Sequence, residues 1–179
     1  FRHARQTLGI PPERILLMGD SAGGNLAAVV SLMAHDRRTF TPAGQILLYP
    51  ATYFDHTDAS PFASVRENGT DYLLTSKRVE DYMTLYQRSP EDRRNPYFAP
   101  LLAEGLSGQP RTLILTAEFD PLRDEGEAYG HRLQEAGTET RIVRIADGLH
   151  GFFSLPPQFS PVQESYRHIQ RFLSEVPQK

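Results

Sequence analysis

A chain of 179 residues, 39% apolar and 23% charged, can build one hydrophobic core and is too short for two ordinary domains. Its net charge of -3 offers no electrostatic case for nucleic acid, and Lys and Arg form no cluster interleaved with aromatics. The absence of cysteine excludes a disulfide framework, thiolate metal sites and a cysteine nucleophile; it is compatible with a cytoplasmic location without establishing one.

No apolar run approaches the length a bilayer demands, so no membrane span is expected. The chain begins at Phe1 and its first methionine is Met18, so the lack of a signal peptide carries no weight.

In chain order, Leu8-Gly9-Ile10-Pro11-Pro12 reads as a helix ended by glycine, with prolines blocking its continuation. Ile15 to Met18 is continuously apolar, the pattern of a strand covered on both faces in a parallel sheet. Gly24 to Ala34 is small or aliphatic throughout and predicts a well-buried helix. Gln45 to Tyr49, stopped by Pro50, predicts a second strand, and Thr112 to Thr116 a third. A helix over Asp124 to Ala136 ends at Gly137. Arg141 to Ile145 alternates in part, as an edge or half-covered strand does. The last segment, Pro161 to Val176, carries Val162, Tyr166, Ile169, Phe172 and Leu173 at helical spacing and predicts a packing helix. Strand alternating with helix implies an α/β fold with a parallel sheet.

Ala51 to Pro96 breaks this rhythm with six aromatics (Tyr53, Phe54, Phe62, Tyr72, Tyr82, Tyr86), charges and turn residues. Ser76 to Gln87 predicts an amphipathic helix capped by Thr75 or Ser76. The stretch is expected to be a cap inserted over the sheet's edge, which divides the chain into a core of 1–50 and 97–179 and a cap of 51–96. An ordinary surface excursion is the alternative.

Gly19-Asp20-Ser21-Ala22-Gly23 fits G-x-S-x-G, and it falls between a predicted strand and a predicted helix. In that setting the glycines permit a sharp turn that lifts the Ser21 hydroxyl above the sheet, and Gly23 and Gly24 permit close backbone approach. The helix N-terminus favours negative charge at the same spot, and the Ala22 N–H supplies one oxyanion donor. A serine hydroxyl is a weak nucleophile without a base.

Of six histidines, His150 is the one between a strand and a loop with small neighbours, in Asp147-Gly148-Leu149-His150-Gly151-Phe152. His3, His131 and His168 fall in predicted helices and His35 at a helix end, all read as solvated surface. His56 lies in the cap, where it could face a pocket but lacks an obvious orienting group. The acid should follow the third strand and precede the base, which places Asp120 first, Glu118 as its near rival and Asp124 as a distant one. Asp124 and Glu125 read more plainly as first-turn acids favoured by the helix dipole.

The chain resembles the hormone-sensitive-lipase branch of the α/β-hydrolases, a family of carboxylesterases. The resemblance rests on Gly19-Asp20-Ser21-Ala22-Gly23-Gly24-Asn25-Leu26-Ala27-Ala28, Pro96-Tyr97-Phe98-Ala99-Pro100-Leu101, Asp120-Pro121-Leu122-Arg123-Asp124-Glu125-Gly126 and His150-Gly151-Phe152. It implies Ser21 as nucleophile, Asp120 as acid and His150 as base, with Asp20 holding the turn, and no cofactor or metal. One departure is large: the family's His-Gly-Gly-Gly type loop, which supplies most of the oxyanion hole, has no counterpart in these residues. A missing N-terminal segment is therefore expected to supply it, and residues 15–18 alone would form an unpaired apolar edge.

These readings imply hydrolysis of carboxylic esters of small to medium acyl chains through an acyl-enzyme on Ser21. An unperturbed imidazole loses its proton near pH 6.5, so a rate that depends on a neutral base should rise through about pH 6 to 7. A serine peptidase of the same fold, or a non-catalytic module lacking the oxyanion loop, are the alternatives. Pairing of the edge strand 141–145 with a second copy gives a homodimer as a further expectation.

Overall fold

The computed structural model describes residues 4–175, so the readings placed on His3 and Val176 lie outside the described residues. The four apolar runs become four parallel strands, β1 (Leu16–Asp20), β2 (Gly44–Leu48), β3 (Thr112–Phe119) and β4 (Thr140–Leu149), side by side in chain order. Their register sets Met18 opposite Ile46, Leu47 opposite Ile114 and Leu115 opposite Val143.

Parallel neighbours cannot be joined by a tight turn, so each connection leaves the sheet and returns. After a short α1 (Ala4–Leu8), α2 (Ala22–Asp36) links β1 to β2 and α5 (Arg123–Glu135) links β3 to β4. The longest connection, from β2 to β3, holds α3 (Ala63–Glu67) and α4 (Ser76–Tyr86), and α6 (Ser160–Ser174) follows β4. Gly9 and Gly137 take positive φ (65° and 83°) just beyond α1 and α5, as a chain-reversing glycine should. The Thr75 hydroxyl accepts from the Arg78 N–H at 3.2 Å and caps α4.

Alternation along the strands divides the core between two faces. Ile46, Leu48, Leu113 and Leu115 meet Val162, Ile169 and Phe172 of α6. Leu47 and Ile114 point the other way, onto Leu32 of α2 and Tyr129 and Leu133 of α5. The result is helix, sheet, helix in three layers, with β2 and β3 buried on both faces. Each fully buried Leu or Ile contributes about 1.5–3 kcal/mol, so this central pair holds the sheet. Among the described residues β1 has a neighbour on its β2 side alone, and its Met18 is 48% exposed. Coverage on both faces thus belongs to β2 and β3, and β1 is the open edge. β4 is the opposite edge and half-covered, as its partial alternation implies. On α6, Val162, Ile169 and Phe172 are buried while Tyr166 and Leu173 remain largely exposed. Among the described residues no helix is long and apolar enough to cross a membrane.

The 51–96 excursion is tied to the core by both apolar and charged contacts. Val79 and Met83 of α4 pack with Phe98, Ala99 and Leu122. Beneath them lies a buried pair: His56 Nε2 stands 2.5 Å from Glu125 Oε2, and both side chains are fully buried. Glu125 Oε1 also accepts the Thr52 N–H at 2.6 Å and the Tyr53 N–H at 3.1 Å. Glu80 of α4 accepts the His56 N–H at 2.7 Å and pairs with Arg93. Glu125 is thus more than a dipole-favoured first-turn acid, and His56 does have an orienting partner.

Burial alone would lower the pKa of His56, but the Glu125 carboxylate, with Glu80 and Asp55 behind it, outweighs burial and raises it. The ion pair then contributes stability in full below the ordinary imidazole value of about 6.5, and that contribution is lost as pH rises through the elevated folded value. Removing one member of a buried ion pair costs about 3–5 kcal/mol. His56→Ala should lower stability by that order at about pH 6, and by progressively less as the medium turns alkaline. Unfolding midpoints of the two proteins across that range measure it; a cost that stays constant with pH would mean an uncharged His56.

Candidate active site

Three strands deliver one residue each to a common rim. β1 ends at Asp20 and α2 begins at Ala22, which leaves Ser21 alone at the junction. Asp120 follows the end of β3 directly, and His150 follows the end of β4. Because all the strands run the same way, their carboxyl ends share one side of the sheet, where ligands of open α/β sheets bind.

Ser21 sits at φ 54°, ψ −119°, a conformation that costs a residue with a side chain about 1–3 kcal/mol. Its N–H donates to Leu48 O at 2.8 Å, and its carbonyl accepts from the Asn25 N–H at 3.1 Å. A Cβ on Gly19 would lie 2.1 Å from Gly23 O, and one on Gly24 would lie 2.9 Å from the Pro50 Cβ, so neither position has room for a side chain. At Gly23 the nearest neighbour would be 3.7 Å away. The crowding expected at Gly23 and Gly24 therefore falls on Gly19 and Gly24, and the positive φ on the serine itself. Among the described residues no hydrogen bond runs from the Asp20 carboxylate to the turn. Asp20 lies by Tyr49 instead, whose pKa is raised first by burial and then by that nearby negative charge.

His150 Nδ1 lies 2.7 Å from Asp120 Oδ2, and His150 Nε2 lies 2.8 Å from Ser21 Oγ. A carboxylate only accepts, so Nδ1 carries the imidazole proton and Nε2 accepts from the Ser21 hydroxyl. The Asp120 side chain is fully buried and its other oxygen accepts the Leu122 N–H at 2.9 Å. Gly151, beside His150, adopts φ 81° and turns the chain away. The Tyr49 ring packs on the imidazole with centroids 5.0 Å apart.

The rivals for the acid are engaged elsewhere. Glu118 Oε2 accepts the Asp147 N–H at 2.9 Å, near the end of β4. Asp124 accepts from the Ser64 N–H at 2.8 Å and pairs with Arg123 at 2.8 Å. Burial would raise the Asp124 pKa, but those two partners hold it below the usual carboxylate range. His35 and His131 are exposed, and His168 is half-buried beside Glu164. His56 lies outside the cavity, in the buried pair described above.

Beside Ser21 opens a cavity of about 490 Å³. Ser21, Ala22 and His150 line it together with Leu73, Val79 and Met83 of the excursion and with Phe98 and Leu122. The Asn25 amide donates to Ala51 O and Phe98 O, both at 2.8 Å, and fixes two strips of that lining. Sequence patterns pointed to neither the role of Asn25 nor that of Tyr49. The one usable signal for Tyr49 was its position after β2, on the same rim as Ser21 and Asp120. Among the described residues no group of three or more His, Asp or Glu side chains is arranged as a metal ion would need.

Comparison with known proteins agrees with this architecture. The family model of the alpha/beta hydrolase fold matches residues 1–154. An arylesterase of Saccharolobus solfataricus is 40% identical over 150 residues, covering 83% of this chain and 47% of its own length. The carboxylic ester hydrolase LipN of Mycobacterium tuberculosis is 42% identical over 158 residues, 86% of this chain and 41% of its own. Among solved structures, a thermostable esterase from Pseudomonas putida superposes with a TM-score of 0.89 at 32% identity, over 99% of this chain and 56% of that one. A hyperthermophilic esterase from Pyrobaculum calidifontis gives 0.85 at 36%, over 95% and 55%. The chain spans about half the length of the curated relatives it matches. It belongs to the alpha/beta hydrolase fold family, in the hormone-sensitive-lipase-like branch that its esterase relatives fit.

Proposed function

We propose that these residues are the greater part of the catalytic half of a serine carboxylesterase, with Ser21 as nucleophile, His150 as base and Asp120 as the acid that orients it. The observation that carries the reading is the unbroken hydrogen-bond line from Ser21 Oγ through both nitrogens of His150 to Asp120. Esterase names among the relatives support the same chemistry.

In this mechanism Ser21 Oγ attacks the ester carbonyl carbon while His150 Nε2 takes the hydroxyl proton. Asp120 stabilises the resulting imidazolium through its bond to Nδ1. The carbonyl oxygen, now an oxyanion, receives the Ala22 N–H at the start of α2. Collapse breaks the bond to the alcohol, which leaves with the proton from His150. Water then attacks the acyl-enzyme with His150 again as base, and the acid departs as Ser21 regains its proton. The remaining oxyanion donors come, in this proposal, from a segment that precedes these residues in the whole protein, as the family resemblance implies. Loss of one such donor costs about 100- to 1000-fold in turnover.

Residues 51–96 act as the cap that walls the acyl pocket, on the core of 1–50 and 97–179. Its apolar lining suits small to medium acyl chains. The free edge of β4 offers residues 141–145 for pairing with a second copy.

Two experiments test the reading. In the full-length protein Ser21→Ala should lower kcat/KM for p-nitrophenyl butyrate by about 10⁴-fold or more, and should abolish labelling by a fluorophosphonate. Wild-type turnover in that variant would sink the assignment, and faster cleavage of an aminoacyl anilide than of the ester would favour a peptidase. Across a p-nitrophenyl ester series, turnover should be highest on short and medium acyl chains. Met83→Ala, which enlarges the cavity that Met83 and Ser21 both line, should shift that preference toward longer ones; an unchanged profile removes Met83 from the acyl site.

A further inference from the structure

Asp120 stands in the turn between β3 and α5, where its own carbonyl accepts the Arg123 N–H at 3.1 Å. Its carboxylate meets His150 on one oxygen and the Leu122 N–H on the other. Both contacts lie downstream of the question of what holds the turn's backbone. Beside Arg123, the groups that hold it come from the excursion, at the end of α3.

The Asn68 side-chain amide donates to Glu118 O, near the end of β3, and to Asp120 O in the turn, each at 3.3 Å, while Arg123 Nη1 also reaches Glu118 O at 3.2 Å. Ser64, one helical turn earlier, donates from Oγ to Pro121 O at 2.9 Å. The same hydroxyl accepts the Asp124 N–H at 3.2 Å, and the Ser64 N–H reaches Asp124 Oδ2 at 2.8 Å. The Tyr72 ring stacks on Phe119, with centroids 5.1 Å apart and planes 24° apart. The Glu118, Asp120 and Pro121 carbonyls are thus each bonded by a side chain of the excursion. Asn68 is 4% exposed and Ser64 fully buried, so water cannot replace either donor.

Resting on the esterase reading above, we propose that Asn68, assisted by Ser64, is a positioning residue for the reaction: its amide holds the carbonyls flanking Phe119 so that the Asp120 carboxylate stays aligned with His150. The two bonded carbonyls belong to the acid and to the residue two before it, so rotation of either peptide swings the carboxylate off the imidazole. A displacement of about 1 Å at such a group costs about 100-fold in rate. The Asn68 side chain must present its NH₂ here, because its oxygen would face two carbonyl oxygens. The neighbouring Glu67–Arg123 pair spans the same two elements, but Glu67 is 57% exposed and such a pair contributes little.

The test compares Asn68→Ala and Asn68→Asp with wild type in the full-length protein, with rates divided by the number of sites titrated by a fluorophosphonate. Asn68→Ala should lower kcat per titrated site by about 10- to 100-fold and leave KM within about twofold. Asn68→Asp preserves shape but replaces the donor with a negative oxygen facing the two carbonyls, so it should fall below Asn68→Ala. Asn68→Ser keeps one donor; its rate should lie between alanine and wild type, and it serves if alanine does not fold. A second readout needs no turnover. The low-field proton resonance of His150 Nδ1–H reports the bond to Asp120, and it should broaden or vanish in Asn68→Ala. Variants that lower only the melting temperature, with per-site kcat within about twofold and the resonance intact, overturn the proposal. Ser21→Ala, measured on the same substrate, decides the esterase reading separately, whatever Asn68 does.

Discussion

The rest of the structure depends on the strained backbone of Ser21. Ser21 is held at φ 54°, ψ −119° where a helix and a strand meet, and such a conformation persists only if its surroundings over-determine it. They do so from three sides. Leu48 O receives the Ser21 N–H, Asn25 and Ala51 N–H groups reach the Ser21 carbonyl, and the Gly19–Gly23 approach leaves no space for the turn to relax. Pro50 closes the remaining side by packing on Gly24. The cost of about 1–3 kcal/mol is met by the burial of the strands around it, since two fully buried leucines supply as much. What is gained is a hydroxyl that points out of the sheet instead of back into a helix.

A strained serine is useful only if its partners hold still, and they are carried by loops. The 51–96 excursion supplies the restraint. Glu125 draws the backbone at residues 52 and 53 and the imidazole of His56 onto the first turn of α5. Ser64 bonds to the turn that carries Asp120. Glu118, in turn, fixes the N–H of Asp147 before His150. The residues around Asp120, those before His150 and the cavity wall are thus joined, the first and last through the buried Glu125 and Ser64, whose partners would be costly to leave unpaired. One segment both walls the cavity and braces the groups that face it.

The sheet was legible because its signal is repeated. Four short apolar runs, two pairs of them separated by helix-length spacers, leave a parallel α/β sheet as the economical solution, and β2 and the first six residues of β3 are buried, as such runs require. Ser21, Asp120 and His150 were legible for a different reason. Each sits one residue beyond a strand, and parallel order puts those positions on one rim. The failures lie where a residue's role depends on what comes near it from far along the chain. Glu125 looked like a first-turn acid because its partner His56 is 69 residues away. His56 looked unpartnered for the same reason. Asn25 and Tyr49 carry no spacing that distinguishes a tether or a ring beneath an imidazole from ordinary core. The extent of β4 was also underestimated, since its register shift near Ala117 and Phe119 lets the strand continue to Leu149 through a stretch that reads as loop.

The contrast between two histidines shows how one chemical pair can be placed in two different ways. Asp120 and Glu125 are both fully buried, five residues apart, and each holds an imidazole: His150 and His56. His56 is enclosed between carboxylates, with Glu125 on Nε2 and Glu80 3.9 Å from Nδ1. Two acids on opposite sides of one ring stabilise the imidazolium, and an imidazolium has no lone pair to offer. His150 has a carboxylate on Nδ1 alone. Its Nε2 meets a hydroxyl at the cavity wall, and its side chain is 12% exposed. The same chemical pair is therefore a closed structural ion pair in one place and an open proton acceptor in the other. The difference is set by what stands against the second nitrogen and by whether that nitrogen reaches the cavity.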